Sequence, residues 1–321
     1  MTRDESPLAF LYPEIEPDAS GYLDVGDDHH VWWEACGNPT GVPVIYLHGG
    51  PGGATRPLAR RFFDPNHFRY VTMHQRGCGQ STPLAETRDN TTQTLIADIE
   101  RLRSHLGIAR WLVCGGSWGT ALGLAYGESH PEACLGFVLA GVTLGRDVDR
   151  HWWWHGTAKL FPEAFDALIS ALPEKSRNNP VTGFHAQLMD PNPAIHLPAA
   201  RAVCMFSAAT VGLSPDPAVL ERYENPDNSL PLARLFLHYS VNRHFLRSNQ
   251  LLDNLSRIRH LPCAIQSSRY DVTTPPEAAW TLHKAWPGST IDIVRDGAHS
   301  TADPSVARAM LNAVETIKEQ L

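Results

Sequence analysis

Short apolar runs and amphipathic stretches alternate along the first 140 residues of the chain. Val31-Trp32-Trp33-Glu34-Ala35, Val42-Pro43-Val44-Ile45-Tyr46-Leu47 and Arg69-Tyr70-Val71-Thr72-Met73 read as strands, being short and rich in β-branched and aromatic residues. Between the last of these and the apolar run Trp111-Leu112-Val113-Cys114, the residues Leu95, Ile99, Leu102 and Leu106 recur at spacings of four, three and four. Asp98, Arg101 and Arg103 take the other faces, so the spacing predicts an amphipathic helix over 90–108 with Asn90 and Thr91 as capping candidates. Thr120-Ala121-Leu122-Gly123-Leu124-Ala125 predicts a second helix, and Leu135-Gly136-Phe137-Val138-Leu139-Ala140 a further buried strand. This alternation implies a mostly parallel sheet covered by helices on both faces.

The rhythm changes at about Thr143. From there to Leu251 β-branched runs are few, and Ala-, Leu- and aromatic-rich helical stretches are broken by loops around Pro180, Pro191-Asn192-Pro193 and Pro215-Asp216-Pro217. Alternation returns with Leu261-Pro262-Cys263-Ala264-Ile265 and Thr290-Ile291-Asp292-Ile293-Val294, and Val306, Met310, Val314 and Ile317 share one face of a closing helix. The expected organisation is an α/β core of residues 1–142 and 252–321, with 143–251 inserted as a helical cap over the carboxyl edge of the sheet. The run His151-Trp152-Trp153-Trp154-His155 opens the insertion. Three adjacent indoles cannot share one helix face, so some are expected to line a cleft or touch the core.

Length and composition fit a large folded core: 321 residues, 43% of them hydrophobic. A net charge of −7 without a basic block argues against nucleic acid as a partner. The acidic start, Met1-Thr2-Arg3-Asp4-Glu5-Ser6-Pro7, is unlike a secretory signal, and no segment has the length of a membrane span. A soluble, cytoplasmic protein is expected, and the sequence says nothing of its oligomeric state. The cysteines Cys36, Cys78, Cys114, Cys134, Cys204 and Cys263 are far apart, which suits reduced thiols rather than a disulfide framework, and Cys114, Cys134 and Cys263 fall in apolar runs as packing residues.

Ser117 lies in Gly115-Gly116-Ser117-Trp118-Gly119, between a predicted strand and a predicted helix. Glycines on both sides permit a sharp turn and close strand–helix approach, lifting the hydroxyl above the sheet edge as a nucleophile. A serine needs a base to take its proton and a third group to orient that base. Asp271 and His299 follow the two late strands, and the order Ser117, Asp271, His299 suits one sheet presenting all three in its carboxyl-end loops. Asp292, Asp296 and Asp303 compete for the acid role, but one falls within a strand and two neighbour the histidine. Two donors must hold the developing oxyanion. The amide of Trp118 and that of Gly50, in His48-Gly49-Gly50-Pro51-Gly52, are the candidates. That loop lacks the Lys-Ser/Thr of a phosphate loop and the dinucleotide glycine spacing, so a phosphate-cradling role is not expected. The flanking histidines of the tryptophan run have no cysteine or acidic ligands nearby, so no metal is expected either.

Together with Leu47-His48-Gly49-Gly50-Pro51-Gly52, Gln75-Arg76-Gly77-Cys78-Gly79-Gln80-Ser81, Leu160-Phe161-Pro162-Glu163-Ala164-Phe165, Arg269-Tyr270-Asp271 and Ala298-His299-Ser300, these features resemble the proline iminopeptidase family of α/β-hydrolases over nearly the whole chain. The resemblance implies an α/β-hydrolase core, a helical cap, a serine acyl-enzyme and no cofactor. Members that release N-terminal proline hold the substrate amine with acidic residues in Trp-x-x-Trp-Glu and Ile-Glu-x-His-Tyr patterns. Here the stretches read Val203-Cys204-Met205-Phe206-Ser207 and Leu235-Phe236-Leu237-His238-Tyr239, so Ser207 and Phe236 stand in place of the glutamates. His74 replaces an Asp common before Gln-Arg-Gly, and Ser267-Ser268 a common His-Gly pair.

A buried ammonium without a carboxylate is costly. The expected protein is therefore a serine hydrolase acting on an amide, ester or thioester of a small-molecule or short-peptide substrate, partly apolar and uncharged at the amine position. Ser207, Phe236, Trp153, Phe206 and Tyr239 are its expected substrate contacts. The alternatives are a prolyl aminopeptidase, with Glu221 or Glu224 as replacement acid, an acyltransferase or cyclising enzyme on the same triad, and a non-catalytic receptor. Dehalogenase and epoxide-hydrolase chemistry would need a carboxylate where Ser117 stands.

Overall fold

Eight strands form one sheet in the computed structural model, which describes residues 7–214 and 216–321. They are β1 (Ala19–Gly26), β2 (His29–Gly37), β3 (Val42–Leu47), β4 (Phe68–Met73), β5 (Trp111–Gly116), β6 (Cys134–Ala140), β7 (Cys263–Ser268) and β8 (Thr290–Val294). The spatial order is β1-β2-β4-β3-β5-β6-β7-β8, antiparallel between β1, β2 and β4 and parallel from β4 onward. Successive side chains point to opposite faces. Ile45, Leu47, Val71 and Val113 pack with α1 (Thr92–His105), α2 (Trp118–Ser129) and α10 (Pro276–Ala285), while Val44, Tyr70, Leu112 and Cys114 pack with α11 (Pro304–Lys318). Helices on both faces explain why the central strands are continuous apolar runs. All six cysteines are buried and free.

Between β6 and β7 lie α3 (Asp147–His151), α4 (Pro162–Ser170), α5 (Pro180–Leu188), α6 (Pro193–Thr210), α7 (Pro217–Glu224), α8 (Pro226–Val241) and α9 (Gln250–Asp253). The prolines that punctuate this segment start helices as well as ending loops. Each of α5 to α8 has proline at its first position, preceded by Asn179, Asn192, Asp216 or Asn225, whose side chain accepts a first-turn amide. Trp153 and Trp154 enter the core of this segment with Phe184, Val203, Phe206 and Leu237. Trp152 instead reaches the α/β core, its Nε1 donating to the Val272 carbonyl at 2.8 Å.

Three features depart from the sequence reading. The edge strand β1 is absent from it because Ala19–Gly26 buries only Val25 fully, and its turn into β2 rests on Asp27 and Asp28 at φ 57° and 62°. Asp98, assigned to a polar helix face, is fully buried and holds Arg76 through two bonds of 2.6 and 2.9 Å, tying the 74–81 loop to α1. Thr91 caps α1, whereas Asn90 is buried and bridges to α8. Its carbonyl accepts from His238 Nε2 at 2.8 Å and its Oδ1 from the Tyr239 hydroxyl at 2.9 Å.

Candidate active site

Ser117 stands alone between the end of β5 and the start of α2, at φ 55° and ψ −126°. A non-glycine residue in this region is strained and persists only when its surroundings hold it. They do so from several sides. The Ser117 amide donates to the Ala140 carbonyl at the tip of β6, and its carbonyl accepts from the amide and hydroxyl of Thr120 at 2.8 and 2.7 Å. The flanking glycines are needed for approach: a Cβ on Gly119 would fall onto the Leu47 carbonyl, and one on Gly115 onto the backbone of Gly119. Ser117 therefore faces a cavity of about 840 Å³ between the sheet edge and the inserted helices.

Asp271 and His299 line the same cavity from the loops after β7 and β8. Asp271 is buried with all its acceptor directions used. Its Oδ1 accepts the amides of Thr273 and Thr274 at 3.0 and 2.7 Å, and its Oδ2 accepts the Thr274 hydroxyl at 2.7 Å and His299 Nδ1 at 2.8 Å. With the proton on Nδ1, the lone pair of His299 resides on Nε2. Burial alone would lower the imidazole pKa, but the Asp271 charge and hydrogen bond outweigh it and raise His299 above the ordinary 6.5. The rival carboxylates lie elsewhere: Asp292 and Asp296 are exposed, and Asp303 caps α11 through the Ser305 amide.

Among the described residues, neither the Gly50 amide nor the Trp118 amide donates a hydrogen bond, and both residues line the cavity. One residue connects the two segments that carry them. Buried Gln75 donates from Nε2 to the His48 carbonyl and accepts the Trp118 indole N–H, both at 2.9 Å. Its role is invisible from a lone glutamine in a loop sequence. His74 Nδ1 accepts the Gln80 amide at 2.9 Å. Burial, and then His48, lower the pKa of His74 to about 3, so this ring is a neutral acceptor near pH 7.

The expected substrate contacts divide. Trp153, Ser207 and Phe236 line the cavity. Phe206 and Tyr239 do not. Phe206 is buried edge-on against Trp153 at 5.3 Å, and Tyr239 is buried between Trp118 and Asn90. Helices α6 and α8 are apolar on more than one face, so spacing does not separate cavity-facing aromatics from packing ones. Glu221 and Glu224 also lie outside the cavity, and Glu224 is paired with Arg201 at 2.6 Å. His244, unremarked in the sequence, lines the cavity and stacks on the Trp118 indole at 5.3 Å and 22°.

No helix among the described residues is long and apolar enough to cross a membrane. The alpha/beta hydrolase fold family matches residues 42–192. A probable proline iminopeptidase of Leptolyngbya boryana is 41% identical over 312 residues, covering 97% of each chain. The proline iminopeptidase of Arabidopsis thaliana is 44% identical over 96% of this chain and 82% of its own length. Among solved structures, the proline iminopeptidase of Mycobacterium smegmatis superposes with a TM-score of 0.61 over 94% of this chain and 98% of its own, at 21% identity, a likeness of fold. Identity above 40% across almost the entire length, on a sheet that ends in a strained serine turn, leaves one conclusion: the chain belongs to the proline iminopeptidase family of α/β-hydrolases and is a serine hydrolase.

Proposed function

We propose that Ser117, His299 and Asp271 form the catalytic triad and that the amides of Gly50 and Trp118 hold the oxyanion. Ser117 Oγ attacks the carbonyl carbon while its proton passes to His299 Nε2. The carbonyl oxygen takes the negative charge and is met by the two amides. As the intermediate collapses, His299 returns the proton to the leaving group. Water, activated by the same imidazole, then hydrolyses the acyl-enzyme. Asp271 keeps the proton on Nδ1 and stabilises the imidazolium. Residues 143–251 serve as the cap, with Trp153, Ser207 and Phe236 against the substrate.

The raised pKa of His299 fixes a sign. The base must be neutral, so kcat/KM should fall as pH drops through a value above 6.5, and a profile of the free enzyme that stays flat to pH 6 would contradict this assignment.

The substrate reading is a small, partly apolar amide or ester that is uncharged at the amine position. The observation that carries it is a cavity bordered by Ser207 and Phe236, with Glu221 and Glu224 outside it. The relatives' shared name favours a second reading, release of N-terminal proline. Purified protein should cleave N-acetyl-proline 4-nitroanilide or a simple ester with higher kcat/KM than free proline 4-nitroanilide. A clear preference for the free amine would establish the second reading instead.

A further inference from the structure

The charges that border the cavity are unequally matched. Asp149 is taken by Arg146 at 2.7 Å, Arg150 pairs with Asp147, and Asp271 is committed to His299 and the Thr273–Thr274 turn. Two cations remain. Arg56 follows the glycine loop, and among the described residues its guanidinium has no hydrogen-bond or ion-pair partner. Arg222, on α7, donates to the hydroxyl of Tyr223 at 3.2 Å and lies over that ring at 4.9 Å, again with no carboxylate. Arg56 is exposed at the edge of the cavity, and partial desolvation and then the Arg222 charge lower its pKa. Of the nearby carboxylates, Asp216 caps α7 through the Ala218 amide, and Asp227, exposed at the first turn of α8, lines the cavity.

Neither guanidinium is engaged by a carboxylate among the described residues, so both keep donors free for an anionic group that enters the cavity. A guanidinium offers several donors in a fixed fork that matches a carboxylate or phosphate oxygen pair. Beside them the walls are apolar: Trp153, Trp154, Val219 and Phe236. Among the described residues Asp227 is the one lining carboxylate without a partner, so the two unmatched arginines leave the cavity with a net preference for an anion.

We infer that Arg56 and Arg222 bind an anionic oxygen group on the substrate, so that this hydrolase acts on amides or esters of an acid carrying a second, negatively charged terminus. The inference rests on the proposed site, since it assigns the same cavity as substrate pocket.

The test separates binding from chemistry. Adipamate and hexanamide have equal chain lengths and differ in one terminal carboxylate. Each is titrated into the intact protein while tryptophan emission is followed, with Trp153 and Trp154 as the reporters at the cavity wall. Adipamate should bind about tenfold more tightly or better, the scale of a hydrogen bond to a charged group. That advantage should shrink with Arg56→Gln or Arg222→Gln and vanish with both, while hexanamide binding stays unchanged. Equal binding of the two, or an adipamate advantage that survives both substitutions, overturns the inference. Tighter binding of 6-aminohexanamide also overturns it and moves the anchor to Asp227. The matching 4-nitroanilides of adipic and hexanoic acid are then assayed for hydrolysis. Arginine-dependent adipamate binding without cleavage of either anilide upholds the anion site and counts against the proposed chemistry alone.

Discussion

Replacing Ser117 with alanine should lower kcat by about a millionfold, the loss seen when a serine hydrolase is deprived of its nucleophile, and should abolish labelling by a fluorophosphonate. Folding should be unaffected. The strain at φ 55° is shared by any residue with a Cβ, and the bonds that hold the turn come from the Ser117 backbone rather than its hydroxyl. The melting temperature therefore serves as an internal control: a variant that folds as the parent but loses all turnover identifies Oγ as the reacting atom. Retained hydrolysis at even a hundredth of the parental rate would remove Ser117 from the mechanism.

Asp271→Asn should cost about 10⁴-fold in kcat, through a tautomer. The Thr273 and Thr274 amides both point at Oδ1, so an asparagine should keep its carbonyl oxygen there and turn its amide nitrogen towards His299. Nδ1 must then accept, the proton moves to Nε2, and the imidazole can no longer take a proton from a serine. The same exchange removes the charge that raises His299, so the acidic limb of the remaining activity should move to lower pH. A loss of rate with no displacement of that limb would mean that Asp271 supports the loop rather than the base.

Much of this was legible in the chain because it rests on backbone demands that few residues meet. The turn around Ser117 needs glycine where a Cβ would strike the Leu47 carbonyl, and strands buried on both faces leave apolar runs that cannot be mistaken for solvated loops. Asp271 and His299 were placed by chain order relative to the strand ends. What escaped depends on facing rather than on residue type. Phe206 and Phe236 are both phenylalanines on apolar helices, yet one packs beneath Trp153 and the other reaches the cavity. Gln75, Arg56 and Arg222 look like ordinary polar residues of loops and a short helix. Only the folded chain sets the first between the His48 carbonyl and the Trp118 indole and leaves the other two without a carboxylate partner among the described residues. Asp98 escaped for the opposite reason, because burial of a charge is invisible until its partner Arg76 is known.

Gly52 sits at φ 90°, and a Cβ there would fall 2.9 Å from the Leu232 Cα and onto the Pro231 carbonyl of α8. The glycine loop proposed to frame the reacting carbonyl and the α8 helix of the proposed cap are thus in backbone contact at Gly52. Altering the shape of that helix to admit a different guest should disturb the alignment of the proposed donors beneath it. In this architecture selectivity and speed are inherited together, and variants chosen for a new substrate should carry compensating changes along the glycine loop.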